Sequence, residues 1–498
     1  MRTLWYMGAK TRLAGDIQAA IGRAAPAAGS ALDLMSGTGA VSQALAARGD
    51  LRVVANDVQR YAAAVARAHL VHPVDPARVA DALDPEADLG AVYRENLGAL
   101  LERFADAVAL EDAFLLAAGL EPEAPDPEVG APFAAPSDAA RLARLRRHVP
   151  RDPRERARAY RAFALHGTPL FMEGREPAGD GFAGVFRAAR ELFGPAAVEA
   201  RRRDPSLRPA ILCSVYWPNV YLGLRQSLAL DSLRAAIEAL GQRRSPLARQ
   251  KRDVWLSALL HATSVATSAT SHFCQPRGLG SDGEVRAVME RRAISLPART
   301  VAFAREIAEA AAAAPRRADH AVFALDWREL YGRWDEVQAD VVYVDPPYTA
   351  DNYSRFYHVL EVVTAWDYPP LQDGGETKGR YPARDLRHRS RFCGRGQVEA
   401  ELAAVLRETA RRGAALVLSY GEENGLLLRR WREAGCSPAE ARARLIELGR
   451  AAYRDVELIG RPLLHSGQGD SNHTITELLL VARGPRAASG KRGKTTCA

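Results

Sequence analysis

Residues 31–57 read ALDLMSGTGAVSQALAARGDLRVVAND. Residues 31–35 form a short apolar run of the kind that makes a buried strand, and SGTG at 36–39 is a turn into a helical pattern over 41–48. A second apolar strand over 51–55 ends in Asn56-Asp57, and a helix over 59–69 follows. Strand, helix, strand, helix in this order is the opening of an open parallel α/β sheet. Gly37 and Gly39 stand right after a strand and open a helix, where a backbone without side chains lets a ligand approach closely. A purely structural strand–helix turn looks the same, and a dinucleotide fingerprint would prefer glycine at position 42, where this chain has Ser42. Asp57 lies about 20 residues beyond the glycine turn, placed to bind the hydroxyls of a ribose or to cap the next helix. Taken together with the turn, the ribose role is the favoured one.

A second decisive stretch, residues 341–361, reads VVYVDPPYTADNYSRFYHVLE. Residues 341–344 have the apolar, β-branched look of a buried strand. Proline gives no N–H to a ladder and restricts the residue before it, so the strand stops at Asp345. A structural turn would be satisfied by Asn, Gly or Ser. Here Pro346-Pro347 instead holds the Asp345 carboxylate rigidly beside the ring of Tyr348. The strand ends of an open α/β sheet line its ligand crevice, so this acid faces the same crevice as the glycine turn. Asp326, ending a further strand over 321–325, can meet an adenine edge there or serve as a cap.

The rest of the 498 residues fits around these pieces. A helix precedes the first strand, residues 414–418 form another strand ending in Ser419-Tyr420, and 456–460 with 475–481 look like an antiparallel pair. The expected fold is therefore α/β: an open, mostly parallel Rossmann-like sheet with an antiparallel C-terminal strand. Residues 1–72 and 319–483 make the core, split by a large, mainly helical insertion over 73–318, with a basic tail over 484–498. Within the insertion, 121–136 is acidic and proline-rich and 179–184 is another loop. Residues 141–161 are dense in arginine at helical spacing, a solvated face or a phosphate-binding one. Periodic helices are expected over 221–240, 253–268 and 296–314, and another at 357–366.

Hydrophobic residues make up 47% of the chain, enough for a real core, and no apolar run approaches membrane-spanning length. The opening MRTLWYMGAKTRLAGD has no hydrophobic signal region, which points to a cytoplasmic protein. Five cysteines lie far apart with no C-x-x-C pair, against a zinc knuckle or a disulfide framework. The formal charge of +8 invites a nucleic-acid partner. Its weight is small, because 63 Arg against 5 Lys is what a GC-rich coding sequence produces.

On these motifs the chain resembles the S-adenosylmethionine-dependent amino-methyltransferases of DNA. Members of that family pair a D-x-F-x-G-x-G turn with a D-P-P-Y turn, seen here as Asp33 to Gly39 and Asp345 to Tyr348. It is most similar to the DNA adenine methylases of restriction–modification type. Those carry an N-terminal aromatic-x-Gly-x-Lys stretch, here Trp5 to Lys10, and continue the second turn into Tyr357-His358-Val359-Leu360-Glu361. Further likenesses are RSRFC (389–393), LSYGEENGLL (418–427), YLGLRQSLALDSLRAAI and SHFCQP. Met35 replaces the usual Phe, and Thr349-Ala350-Asp351-Asn352 replaces the more usual Asn-Ser-Arg-Gln.

The resemblance implies S-adenosylmethionine as cofactor and duplex DNA as partner, with adenine flipped from the stack. Tyr6, Lys10, Asp33, Gly37, Gly39, Asp57 and Asp326 would line the cofactor side. Packing and solvation explain Tyr6 and Lys10 almost as well, and Ser419-Tyr420 reads equally as a strand cap. An exocyclic amine is a poor nucleophile because its lone pair is delocalised into the ring. Asp345 accepting one N–H and the Pro346 carbonyl the other would favour a pyramidal nitrogen, with Tyr348 stacked on the base and the Pro346-Pro347 pair supplying rigidity. No metal is needed. Two other readings stay open: an RNA adenine or cytosine-N4 amino-methyltransferase, and a nucleic-acid-binding protein that keeps the fold without turnover. Whether a cognate restriction endonuclease accompanies the chain is also open.

Overall fold

The computed structural model describes residues 10–121, 139–166 and 195–486, apart from 271, 316, 318, 376 and 467–471. Tyr6, the loops read at 122–136 and 179–184, and the tail from 487 onward lie outside the described residues. The described residues divide into two compact units, an α/β unit drawn from 10–66, 315–353 and 389–486 and a helical unit drawn from 67–314 and 354–388.

Among the described residues seven strands form the sheet of the α/β unit: β1 (Ser30–Asp33), β2 (Arg52–Asn56), β3 (Ala321–Phe323), β4 (Val341–Val344), β5 (Ala415–Gly421), β6 (Tyr453–Ser466) and β7 (Asn472–Pro485). They lie in the order β3-β2-β1-β4-β5-β7-β6. The first five pair in parallel, and β7 runs antiparallel to both β5 and β6. The fold is α/β and Rossmann-like, as the sequence predicts, with two antiparallel C-terminal strands.

Successive strand residues point to opposite faces, and both faces are buried, which is why β4 and residues 415–418 of β5 read as unbroken apolar runs. On one face Leu32, Val54, Val342, Val344, Leu416 and Leu418 pack with Trp327, Leu402, Leu406 and Trp431. On the other, Ala31, Val53, Val341, Tyr343 and Val417 pack with Ile17, Ile21, Val41 and Leu45. The strand order reverses between β1 and β4, so the residues following these two neighbours flank one crevice at the carboxyl edge.

The helical unit is built on the helices Ala91–Ala117, Leu224–Gly241, Pro246–Ala266 and Leu296–Ala313. Buried carboxylates start two of its helices. Glu111 accepts the N–H groups of Leu224 and Arg225 at 3.0 and 2.9 Å. Asp231 accepts those of Leu212, Cys213 and Ser214 at 2.8–2.9 Å, at the start of the short helix Cys213–Tyr216. Residues 354–388, inside the second core piece of the sequence reading, cluster with this unit. His358 is one tie, its ring buried edge-on against Trp217 and Tyr221 at 5.2 and 5.3 Å, and Tyr216 and Arg234 add bonds to Pro369 O and Val363 O. Burial drives the His358 pKa down to about 3, so it packs as a neutral ring. No helix among the described residues is long and apolar enough to cross a membrane.

Candidate active site

The turn after β1 is closed from two sides. Gly37 and Gly39 have φ of +51° and +77°, the left-handed region where glycine carries no Cβ penalty. A Cβ on Gly39 would also press on Ala66 at 3.4 Å. Asp57, at the end of β2, accepts the Gly37 N–H at 2.9 Å and the Gln59 N–H at 2.8 Å. The Asp57 carboxylate thus fixes the glycine turn and starts its own helix, and each oxygen keeps a lone pair for a further donor. Asn56 beside it ties three strand ends together, donating to Leu34 O and Leu325 O at 3.0 Å each.

Asp33 is buried at the end of β1. One carboxylate oxygen accepts the Ser42 hydroxyl at 2.6 Å, while Oδ1 is buried without a hydrogen-bond partner among the described residues. The position where a dinucleotide fold would prefer glycine therefore holds a hydroxyl that braces the site. Burial, assisted by the neighbouring Asp345 and Asp57 charges, pushes Asp33 up to about 7. Burial likewise raises Asp57 to about 6 against its two N–H bonds. Asp326 is half-buried and caps the helix Trp327–Gly332, accepting the Arg328 N–H at 2.9 Å.

Across the switch point, β4 delivers Asp345. Its Oδ1 lies 3.1 Å from the Lys10 ammonium, and the same ammonium lies 3.4 Å from Glu477 Oε1 on β7. Lys10 also sits 5.0 Å from the centre of the Tyr348 ring. Lys10 is buried, so it is no solvated lysine. Burial alone would strip its proton, but the two carboxylates outweigh it and hold it well above the ordinary lysine range. One ammonium cannot neutralise two acids. Burial, eased by Lys10 and reinforced by Glu477, leaves Asp345 raised to about 6.

Glu477 was not singled out by sequence reasoning. It is fully buried, accepts the Ser419 hydroxyl at 2.6 Å and leaves Oε2 without a hydrogen-bond partner among the described residues. Ser419 is thereby tied into the charge cluster. The Tyr348 ring packs on Tyr420 at 5.5 Å. The start of the helix Leu426–Glu433 clamps both, its Leu426 N–H donating to Tyr348 O at 2.7 Å and its Leu427 N–H to Tyr420 OH at 3.0 Å. Cys393 donates to Asp351 O at 3.1 Å, so the RSRFC segment and LSYGEENGLL both brace the turn at Asp345. Pro346 is buried and Pro347 half-buried within it.

The structure thus gathers Lys10, Asp33, Gly37, Gly39, Asp57, Asp345 and Tyr348 at the carboxyl edge of one sheet, with Asp326 at the end of β3. Among the described residues the crevice carries more carboxylate than cation.

No family model matches the chain, and no solved structure matches it. Over 36 residues the chain is 47% identical to the modification methylase LlaI of Lactococcus lactis subsp. lactis. That stretch is 7% of this chain and spans only 6% of the length of that protein.

Proposed function

We propose that the chain is an S-adenosylmethionine-dependent methyltransferase acting on the exocyclic N6 amine of adenine in duplex DNA. The observation that carries this reading is the Asp345 carboxylate, rigidly held at the sheet's switch point beside the Tyr348 ring. The short likeness to a modification methylase supports the reaction class. The Asp-Pro-Pro-Tyr order, through the family resemblance, supports adenine.

When bound, S-adenosylmethionine supplies an electrophilic methyl group on a cationic sulfur. The residues present fit such a ligand: Gly37 and Gly39 open the backbone, Asp57 offers lone pairs to ribose hydroxyls, and the unpartnered Asp33 Oδ1 awaits a donor. A net positive ligand also relieves the excess of buried carboxylate. On the target side, Asp345 as a carboxylate accepts an N–H of the amine, and the Pro346 carbonyl accepts the other. Tyr348 stacks on the flipped base. Lys10 keeps Asp345 ionised at neutral pH and orients it, and Glu477, braced by Ser419, orients Lys10. Asp345 then takes the proton that the amine must lose. Flipping leaves only one nucleotide in the crevice, so neighbouring bases are read elsewhere, by the helical insertion over 73–318.

Titration calorimetry with S-adenosylmethionine, run on the wild type and Asp345→Ala, tests the reading. Both proteins should bind within a few-fold of each other, and only the wild type should methylate plasmid DNA. A folded wild type that binds no S-adenosylmethionine, or an Asp345→Ala protein that still transfers methyl groups, would overturn it.

A further inference from the structure

We infer that the helical unit carries a phosphodiester-binding site built around Tyr381, with Arg355, Arg380, Arg384 and Arg387 as its cations. The inference rests on the proposed DNA substrate and adds where the backbone of that DNA is held.

Tyr381 is buried, and its hydroxyl donates to Cys274 O at 2.6 Å, so the ring cannot turn. Two guanidinium groups lie over this one ring: Arg355 with its centre 4.9 Å from the centroid and Arg387 at 5.4 Å. Their polar contacts are neutral. Arg355 reaches the Tyr381 hydroxyl and Arg387 the Gln372 side-chain oxygen, both at 3.4 Å. Among the described residues no carboxylate lies within ion-pair distance of any of the four arginines.

That is unlike other arginines of the same unit, where Arg94 pairs with Glu86, Arg225 with Asp112 and Arg286 with Glu290. Codon bias explains many arginines, but it does not explain why Arg355 and Arg387 share one ring without an acid. The Nε atoms of Arg355, Arg380 and Arg387 are moreover buried with no hydrogen-bond partner among the described residues. Burial, and after it the charges of Arg355 and Arg384, hold Arg387 below the ordinary arginine range.

The scaffold beneath is fixed. Leu371 bridges Pro382, the Ala383 N–H donates to Pro370 O at 2.8 Å, and the Trp217 indole N–H donates to Arg380 O at 2.9 Å. Forked guanidinium donors on a rigid base match the oxygens of a phosphodiester, and such contacts hold the duplex regardless of sequence.

Fluorescence anisotropy of a labelled duplex of arbitrary sequence, titrated between about 50 and 200 mM salt, tests the site. Arg355→Gln and Arg387→Gln should each weaken binding about tenfold for every sequence and lower the salt slope by about one, and the double variant by about two. Arg384→Gln, at an exposed position where folding is not at issue, should act the same way. Arg355→Lys should keep most of the slope while losing affinity. Folded variants that bind duplex DNA with wild-type affinity and slope would overturn the inference alone. A wild type that binds no duplex DNA would overturn the proposed substrate as well.

Discussion

Replacing Lys10 with Met removes the only cation seen between Asp345 and Glu477 among the described residues, and the effect should appear in the pH dependence of methyl transfer. At 3.1 Å and an effective dielectric constant of about 20, the Lys10–Asp345 attraction is about 5 kcal/mol. The Asp345 side chain is 20% exposed, so solvent screens part of that, and about half is a fair working value. Half corresponds to roughly two pKa units. Asp345, raised to about 6 in the wild type, would then titrate near 8 in Lys10→Met. Its ionised fraction at pH 7 falls from about nine tenths to about one tenth, so the single-turnover rate should drop about tenfold and recover by about pH 9. Glu477→Gln removes a like charge and should move the acid limb the other way, roughly doubling the rate near pH 6. The assay is rapid-quench methyl transfer to a hemimethylated or unmethylated duplex with S-adenosylmethionine saturating, so that weakened cofactor binding does not enter. An acid limb that stays near pH 6 in a folded Lys10→Met protein would refute the assignment of Lys10 to Asp345.

Asp57→Ala removes both the lone pairs offered to ribose and the bond that fixes Gly37, so S-adenosylmethionine affinity should fall at least about tenfold by calorimetry. Asp33 is raised to about 7, so folding stability tied to it is full below about pH 4 and is lost as the pH rises through 7. Conversely, affinity for a cationic ligand should rise over that same upper range. Denaturant titrations and calorimetry at pH 5, 6, 7 and 8 should show both trends flattened in Asp33→Asn. A methyl group on Gly421 would meet Asn424 Oδ1 and press on the Tyr348 ring at 3.0 Å. Gly421→Ala should therefore cut the single-turnover rate more than about tenfold while leaving S-adenosylmethionine affinity nearly unchanged.

Local signals made much of this visible before the fold was known. Strands β1, β2, β4 and β5 are buried on both faces, so each carries consecutive apolar residues rather than alternation, and proline fixes the end of β4 to the residue. The roles at the crevice were less legible. Asp57 and Asp326 both act as helix starters, because a carboxylate at a strand–helix junction meets free N–H groups whatever else it does. Glu477 sits in TITELLLVA, where a single acid in an alternating strand reads as a solvent position; only the pairing of β7 with β5 brings it to Ser419 and Lys10. The helix Ala91–Ala117 continues straight out of the π-helical turn Glu86–Gly90, so its start signal lies further back, at Asp84, whose side chain accepts the Glu86 and Ala87 N–H groups. The segment 354–388 follows the Asp345 turn in sequence but clusters with the helical unit, where His358 finds its aromatic partners.

The central claim is the identity of the methylated atom. Plasmid DNA incubated with the protein and S-adenosylmethionine, digested to nucleosides and resolved by mass spectrometry, reads it directly. N6-methyladenine is expected with little or no N4-methylcytosine, and none of either with Asp345→Ala. A dominant methylcytosine peak, or methylation of structured RNA in preference to duplex DNA, would contradict it.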